Sequence, residues 1–221
     1  MTRTAMMRPA ACFAALLLAG CGSDPEQLPV LGMARDAVQS TRAAPAAQPK
    51  DLGLTRAYIA TLSAPVDLVT IERVGAQGVI ARIATNGGVE TWSSVDNKTL
   101  GLRQGIVTAT RGLGADLISA SVPSPGQVAS DGGHHRRSHV VLGPDDAAVA
   151  QVYDCRVSLV GPETVSFVER SYQTRHFQEA CSSPMGGFRN DYWFQIGGKL
   201  RQSRQFVSDD AGYVLIKHLS D

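Results

Sequence analysis

At 221 residues, with 43% apolar side chains, the chain is long enough to bury a sizeable core. Its net charge of +1 is too small to draw nucleic acid or an anionic bilayer from a distance. Its four cysteines contain no C-x-x-C pair, which argues against a zinc site.

The first twenty residues read as an export signal. Met1–Arg8 carries Arg3 and Arg8 and no acid, and Pro9–Leu18 is apolar throughout but shorter than the ~20 residues that span a bilayer. Leu18-Ala19-Gly20-Cys21 then has the form of a lipobox, which implies cleavage before Cys21 and lipid on that cysteine. Several acyl chains on one residue anchor firmly where a single chain does not. Gly22 stands where an aspartate would favour retention at the inner membrane, so the expectation is the outer membrane. Loss of Arg3 and Arg8 leaves 19 basic and 20 acidic side chains in the mature chain.

Residues 21–53 read as a tether: Pro25, Pro29, Pro45 and Pro49 punctuate an Ala-rich stretch that cannot bury enough apolar surface to fold alone. A short helix over Gly32–Arg42 is conceivable but lacks strong caps. From residue 54 onward the texture changes to short Val/Ile/Leu/Thr runs separated by turn residues. Strands are expected over Val66–Arg73, Val79–Thr85, Val89–Ser93, Thr99–Arg103, Ile106–Arg111 and Leu117–Val122, with Asn86-Gly87-Gly88, Asp96-Asn97 and Gln104-Gly105 as hairpin turns. Pro123–Gly133 reads as a flexible loop or boundary, and His134–His139 as a solvated basic loop leading into a strand. Gln151–Val160 alternates cleanly, with Tyr153, Cys155, Val157 and Leu159 on one face. Gly161-Pro162 is expected to turn the chain into a long strand over Thr164–Phe177. Asp191–Ile196, Leu200–Val207 and Tyr213–Leu219 complete the set. The spacing argues for an all-β antiparallel meander forming a single domain over 54–221.

With Cys12 removed and Cys21 lipidated, Cys155 and Cys181 are left to pair in an oxidising compartment. Two buried free thiols are the alternative.

No motif carries catalysis. Gly112-Leu113-Gly114 lacks the pattern of a phosphate loop, and no G-x-S-x-G elbow is present. Asp145-Asp146 and Asp209-Asp210 sit in turn-like contexts. His135 and His139 have metal-ligand spacing only on a helix, and the sequence there reads otherwise, so no metal and no cofactor are expected. Trp92, Tyr172, Tyr192 and Trp193, with Arg111, Arg170, Arg175 and Arg204 as basic neighbours, could form a platform for an acidic glycan or a protein partner. Aromatic residues on strands more often pack a core.

An ordered series of motifs resembles the YjbF/GfcB family of capsule and exopolysaccharide lipoproteins. It comprises the lipobox at Cys21, Gly78-Val-Ile-Ala-Arg-Ile-Ala-Thr-Asn-Gly-Gly-Val-Glu-Thr-Trp92, Thr110-Arg-Gly-Leu-Gly-Ala-Asp-Leu117 and Tyr153-Asp-Cys155. Val168-Glu-Arg170 with Cys181, Gly186-Gly-Phe-Arg-Asn-Asp-Tyr-Trp193 and Arg201-Gln-Ser-Arg-Gln-Phe206 follow. The resemblance implies a curled, partly closed β-sheet on the periplasmic face of the outer membrane. It also implies a non-enzymatic accessory role in polysaccharide secretion or assembly, with polysaccharide and other secretion proteins as partners. It brings no catalytic residues. A glycan hydrolase or lyase of the same pathway and a purely structural envelope protein are the competing readings.

Overall fold

The computed structural model describes residues 52–142 and 147–220. Cys21, the tether prolines, the Gly32–Arg42 helix and Asp145-Asp146 lie outside the described residues. Twelve strands form one antiparallel sheet: β1 (Val66–Ile71), β2 (Ala76–Asn86), β3 (Val89–Ser93), β4 (Thr99–Arg103), β5 (Ile106–Arg111), β6 (Leu117–Ser121), β7 (His134–Leu142), β8 (Ala148–Phe167), β9 (Arg170–Ser183), β10 (Gly186–Gln195), β11 (Leu200–Ser208) and β12 (Gly212–His218). Their order is β5-β4-β3-β2-β1-β12-β11-β10-β9-β8-β7-β6. Every strand therefore lies beside its sequence neighbour, and β12 returns to β1. This is an up-and-down meander closed everywhere except between β5 and β6.

That seam is sewn by side chains instead of a ladder. Asp116 accepts from Thr110 Oγ1 (2.8 Å) and from the Gly112 and Leu113 amides. The Leu117 amide donates to Thr110 Oγ1, and the Arg111 guanidinium donates to the Leu117 and Ile118 carbonyls. Two edges that could template further strands are thereby occupied.

The sheet buries both faces over part of its width. On the inner face, Val69, Ile80, Trp92, Leu100, Val207 and Val214 share one cluster. Ile106 of β5 meets Phe177, Tyr192 and Phe194 of β9 and β10 in another. Gln205 of β11 crosses the interior, donating to the Gly105 carbonyl and accepting from the Val107 amide. Gly105 is required by its φ of +83°, and an added Cβ would lie 2.8 Å from Leu200 Cδ2 and displace that side chain.

On the outer face, Val66, Leu68, Val165, Phe167, Tyr172, Trp193 and Leu219 form a second core, overlaid by Ile59 of the short helix α1 (Arg56–Ala60). The β8–β9 hairpin tip reaches this core because β8 does not stop where a turn was expected. The ladder bulges at Val160, between Leu159 and Gly161, and β8 runs on through Gly161-Pro162 to Phe167. Proline is tolerated there because β7 ends opposite Arg156, so beyond it the far edge of β8 has no partner strand. The expected single strand over Thr164–Phe177 is thus two, reversed at Val168 (φ 44°) and Glu169 (φ 60°). A left-handed β-branched valine is costly, and Arg56 holds it in place. Its Nε donates to the Val168 carbonyl, its NH1 to Leu219 and its NH2 to Tyr172 Oη, and its amide donates to Glu169.

Pro123–Gly133 is ordered, contrary to the expected flexible loop. Helix α2 (Pro125–Val128) opens with a Ser124/Gln127 capping box and proline in its first turn, and it drives the fully buried Val128 into the inner core. Gly132 and Gly133 then exchange backbone hydrogen bonds with Val157. Cys155 and Cys181 face each other across β8 and β9 and form a disulfide. In the chain-entropy account a bond closing a loop of this size contributes ~3 kcal/mol.

Removing the Arg56 side chain strands three acceptors beneath the hairpin tip. We predict that Arg56→Ala costs about 2–3 kcal/mol, measured by urea unfolding. Protease cleavage near Val168 should increase well before global unfolding.

Candidate functional site

The strand alternation of β7–β10 sorts its side chains into two very different layers. Inward, the register aligns His135 with Cys155, Cys155 with Cys181, and Cys181 with Phe188. One step along, Val157, Glu179 and Asn190 align. Glu179 is completely buried. Its Oε2 accepts from Arg137 NH1 (2.7 Å), Asn190 Nδ2 (2.7 Å) and Tyr192 Oη (3.0 Å), and its Oε1 lies 2.5 Å from His135 Nε2. Burial pushes Glu179 up, but Arg137 and the hydrogen bonds from His135 and Asn190 outweigh it and hold the carboxyl at about 2. Burial, and after it the charge of Glu179, raises the Tyr192 phenol.

His139, two residues beyond Arg137, is 1% exposed and stacks on Phe188 at 5.2 Å between ring centroids. Neither of its ring nitrogens has a hydrogen-bond partner. Burial, reinforced by Arg137, lowers it to about 3, so it is neutral in the folded protein at pH 7. The segment expected to be a solvated basic loop is therefore a core strand: His135, Arg137 and His139 point inward, and His134 and Arg136 outward. His135, Cys155 and Glu179 come within 4.8 Å of one another, but the Cys155 sulfur is committed to the disulfide.

The outward layer is solvated and basic. His134, Arg156, Ala180 and Arg189 form one row across four strands, all exposed. The row toward one end is Arg136, Asp154, Ser182 and Gly187, and toward the other Ser158, Gln178, Asp191 and Arg204. Arg204 is bound by Glu72, its Nε lying 2.9 Å from both carboxylate oxygens, and its guanidinium lies 3.6 Å from the Tyr213 ring centroid. Ala180, Gly187, Arg189, Arg204 and Tyr213 surround an open hollow of about 480 Å³. Gly187 keeps its floor low, since a Cβ there would sit 2.5 Å from the Cys181 carbonyl oxygen.

The residues expected to form an aromatic platform do not converge. Trp92 on β3 is 5% exposed and packs in the inner core. Tyr192 is fully buried in the Glu179 network. Trp193 faces the outer core, stacked on His176 at 4.4 Å, with its Nε1 donating to Glu163. Tyr172 lies under Arg201 and accepts from Arg56. Arg111 closes the seam, Arg175 rests on Phe177 and Arg170 lines a cleft beside α1. These aromatic residues pack the cores of the sheet. Of the basic neighbours, Arg204 alone reaches the outward hollow. Arg156, Arg189, Ala180, Gly187 and Tyr213 were missed, although the alternation from Cys155 already places Arg156 outward.

The comparisons agree with this architecture. The profile of a family described as the group 4 capsule polysaccharide lipoproteins, gfcB and YjbF, matches residues 31–219. The chain belongs to that family. The crystal structure of the hypothetical lipoprotein YmcC from Escherichia coli K12 superposes with a TM-score of 0.68 at 20% identity, covering 77% of this chain and 91% of that one. It shares the fold. No curated protein matches the sequence. As a member of a lipoprotein family, the protein is associated with the cell envelope.

Two outcomes test the interior. Glu179→Ala leaves Arg137 buried without its counter-ion, and should cost about 3–5 kcal/mol, as read by denaturant unfolding. For His139, the unfolded chain takes up a proton near pH 6.5, whereas the folded chain does not until about 3. Its stability contribution is complete above pH 6.5 and is lost as pH falls through that window. Glu179 adds a loss between its ordinary 4.5 and about 2. His139→Phe should therefore flatten unfolding free energy between pH 6.5 and 4.5, relative to wild type, by about one proton, a tenfold change in equilibrium constant per pH unit.

Proposed function

We propose that this protein is a non-enzymatic accessory factor in the secretion or assembly of a capsule or exopolysaccharide. It is held by lipid on Cys21 at the periplasmic face of the outer membrane. The family match over residues 31–219 carries the reading, and the lipobox at Leu18–Cys21 with Gly22 after it supports the anchor and its membrane. Among the described residues, no helix is long and apolar enough to cross a membrane.

The disposition of the acids supports a binding role. Glu179 spends both oxygens on internal donors. Asp67 accepts from the Leu219 amide and pairs with His218, and Asp191 pairs with His176 and accepts from Gln178. Glu163 accepts from Trp193. Each of these acids is engaged in holding strands together.

The test is genetic. Deleting the gene should reduce surface and secreted polysaccharide, and a Cys21→Ser copy should restore it poorly while the protein leaves the outer-membrane fraction. Unchanged polymer in the deletion strain would contradict the role. A Cys21→Ser protein still sedimenting with the outer membrane would contradict the anchor.

A further inference from the structure

Among the described residues, Arg156 and Arg189 are the two exposed arginines of the outward layer whose side chains have no hydrogen bond, ion pair or ring contact. Both oppose Ala180 in the register, one from β8 and one from β10. Two strand spacings separate their backbones, about 10 Å. Between them stands only the methyl group of Ala180, and the neighbouring row adds a hydroxyl at Ser182 and bare backbone at Gly187. The hollow of about 480 Å³ opens on this strip, with the half-buried Tyr213 ring at its far side.

The other charges of the face are already matched. Arg204 is neutralised by Glu72 and lies 3.9 Å from Asp191, and Arg136 lies 3.5 Å from Asp154. Two open guanidinium forks flanking a flat, small-residue floor are complementary to a chain that carries carboxylates at intervals and presents broad ring faces. A guanidinium donates to a carboxylate in bidentate fashion, and side chains this small leave room for a sugar ring. The protein spends nothing internally on these two arginines, and their neighbours are too small to shield them.

We infer that the outward face of β8–β10 is a binding site for an acidic, uronate-bearing polysaccharide, gripped by Arg156 and Arg189 across Ala180. This rests on the proposed role in polysaccharide handling and adds the chemical class of the polymer and the residues that hold it.

The experiment is a calorimetric titration of the full chain in detergent, with a short oligogalacturonate as probe and a neutral dextran oligomer of equal length as control. Wild type should bind the oligogalacturonate saturably, more weakly as salt rises, and should ignore dextran. Arg156→Ala/Arg189→Ala should lose at least tenfold in affinity with an unchanged melting temperature. Ala180→Phe, which fills the floor without removing charge, should also weaken binding, and Arg103→Ala, an exposed cation at the opposite end of the sheet, should not. Three results would overturn the inference: no wild-type binding at millimolar oligogalacturonate, equal binding by the double variant, or equal binding of the neutral dextran oligomer. If the deletion strain loses polymer while the chain ignores oligogalacturonate, the accessory role stands and this site falls. If the chain binds but deletion leaves export intact, the site stands and the role falls.

Discussion

One buried carboxylate sets the geometry of half the sheet. Glu179 gathers donors from β7 and β10, two strands that flank β9 on opposite sides with β8 intervening on one of them. A charge this deep is tolerated only when each lone pair is answered, so the four donors must arrive together. Slipping β9 by one residue would turn Glu179 to solvent, bury Ala180 in its place and leave Arg137 unpaired inside. The disulfide between Cys155 and Cys181 locks the same register covalently one step along. A slip of two residues would keep the apolar face inward, but it would carry Glu179 away from its donors and part the disulfide.

The outward rows inherit that register. Arg156, Ala180 and Arg189 share a row because Val157, Glu179 and Asn190 share the next one inward. The interior network, though sealed from any ligand, thus determines where the surface cations stand. At the far end of the sheet, Arg56 plays a comparable part on the outer face. It ties the helix that follows the N-terminal segment to the hairpin tip and to the last strand. The chain enters and leaves the sheet at one end, and the basic rows of β8–β10 lie toward the other.

Much of this was legible in the sequence, where local chemistry decides structure. Gly87-Gly88 and Gln104-Gly105 supply positive φ at hairpin turns and mark them plainly. The β8 alternation put Tyr153, Cys155 and Val157 inward, as found. The reading failed where tertiary context overrode local signals. Gly161-Pro162 resembles a turn, but β8 has an open edge there and continues through it, just past a bulge at Val160. The real reversal, at Val168-Glu169, contains no turn residue and survives on contacts from Arg56, 112 residues away. His134–His139 looked solvated because its counter-charge, Glu179, is remote in sequence. Yet Cys181 faces inward, and period-2 alternation puts Glu179 inward with it; a buried acid demands a buried cation. The aromatic platform was misplaced for the opposite reason: Trp92, Tyr192 and Trp193 satisfied strand packing first.

On the proposed reading, a register fixed from within presents an acidic-glycan site on the outward face of β8–β10. Site-specific photocrosslinking in polymer-producing cells tests it most directly, with a photoreactive amino acid at Ala180 and, as control, at Arg103. A carbohydrate-positive, glycan-sized adduct is expected from position 180 and none from position 103. Adducts at position 180 that contain only protein, or equal carbohydrate capture at both positions, would contradict it.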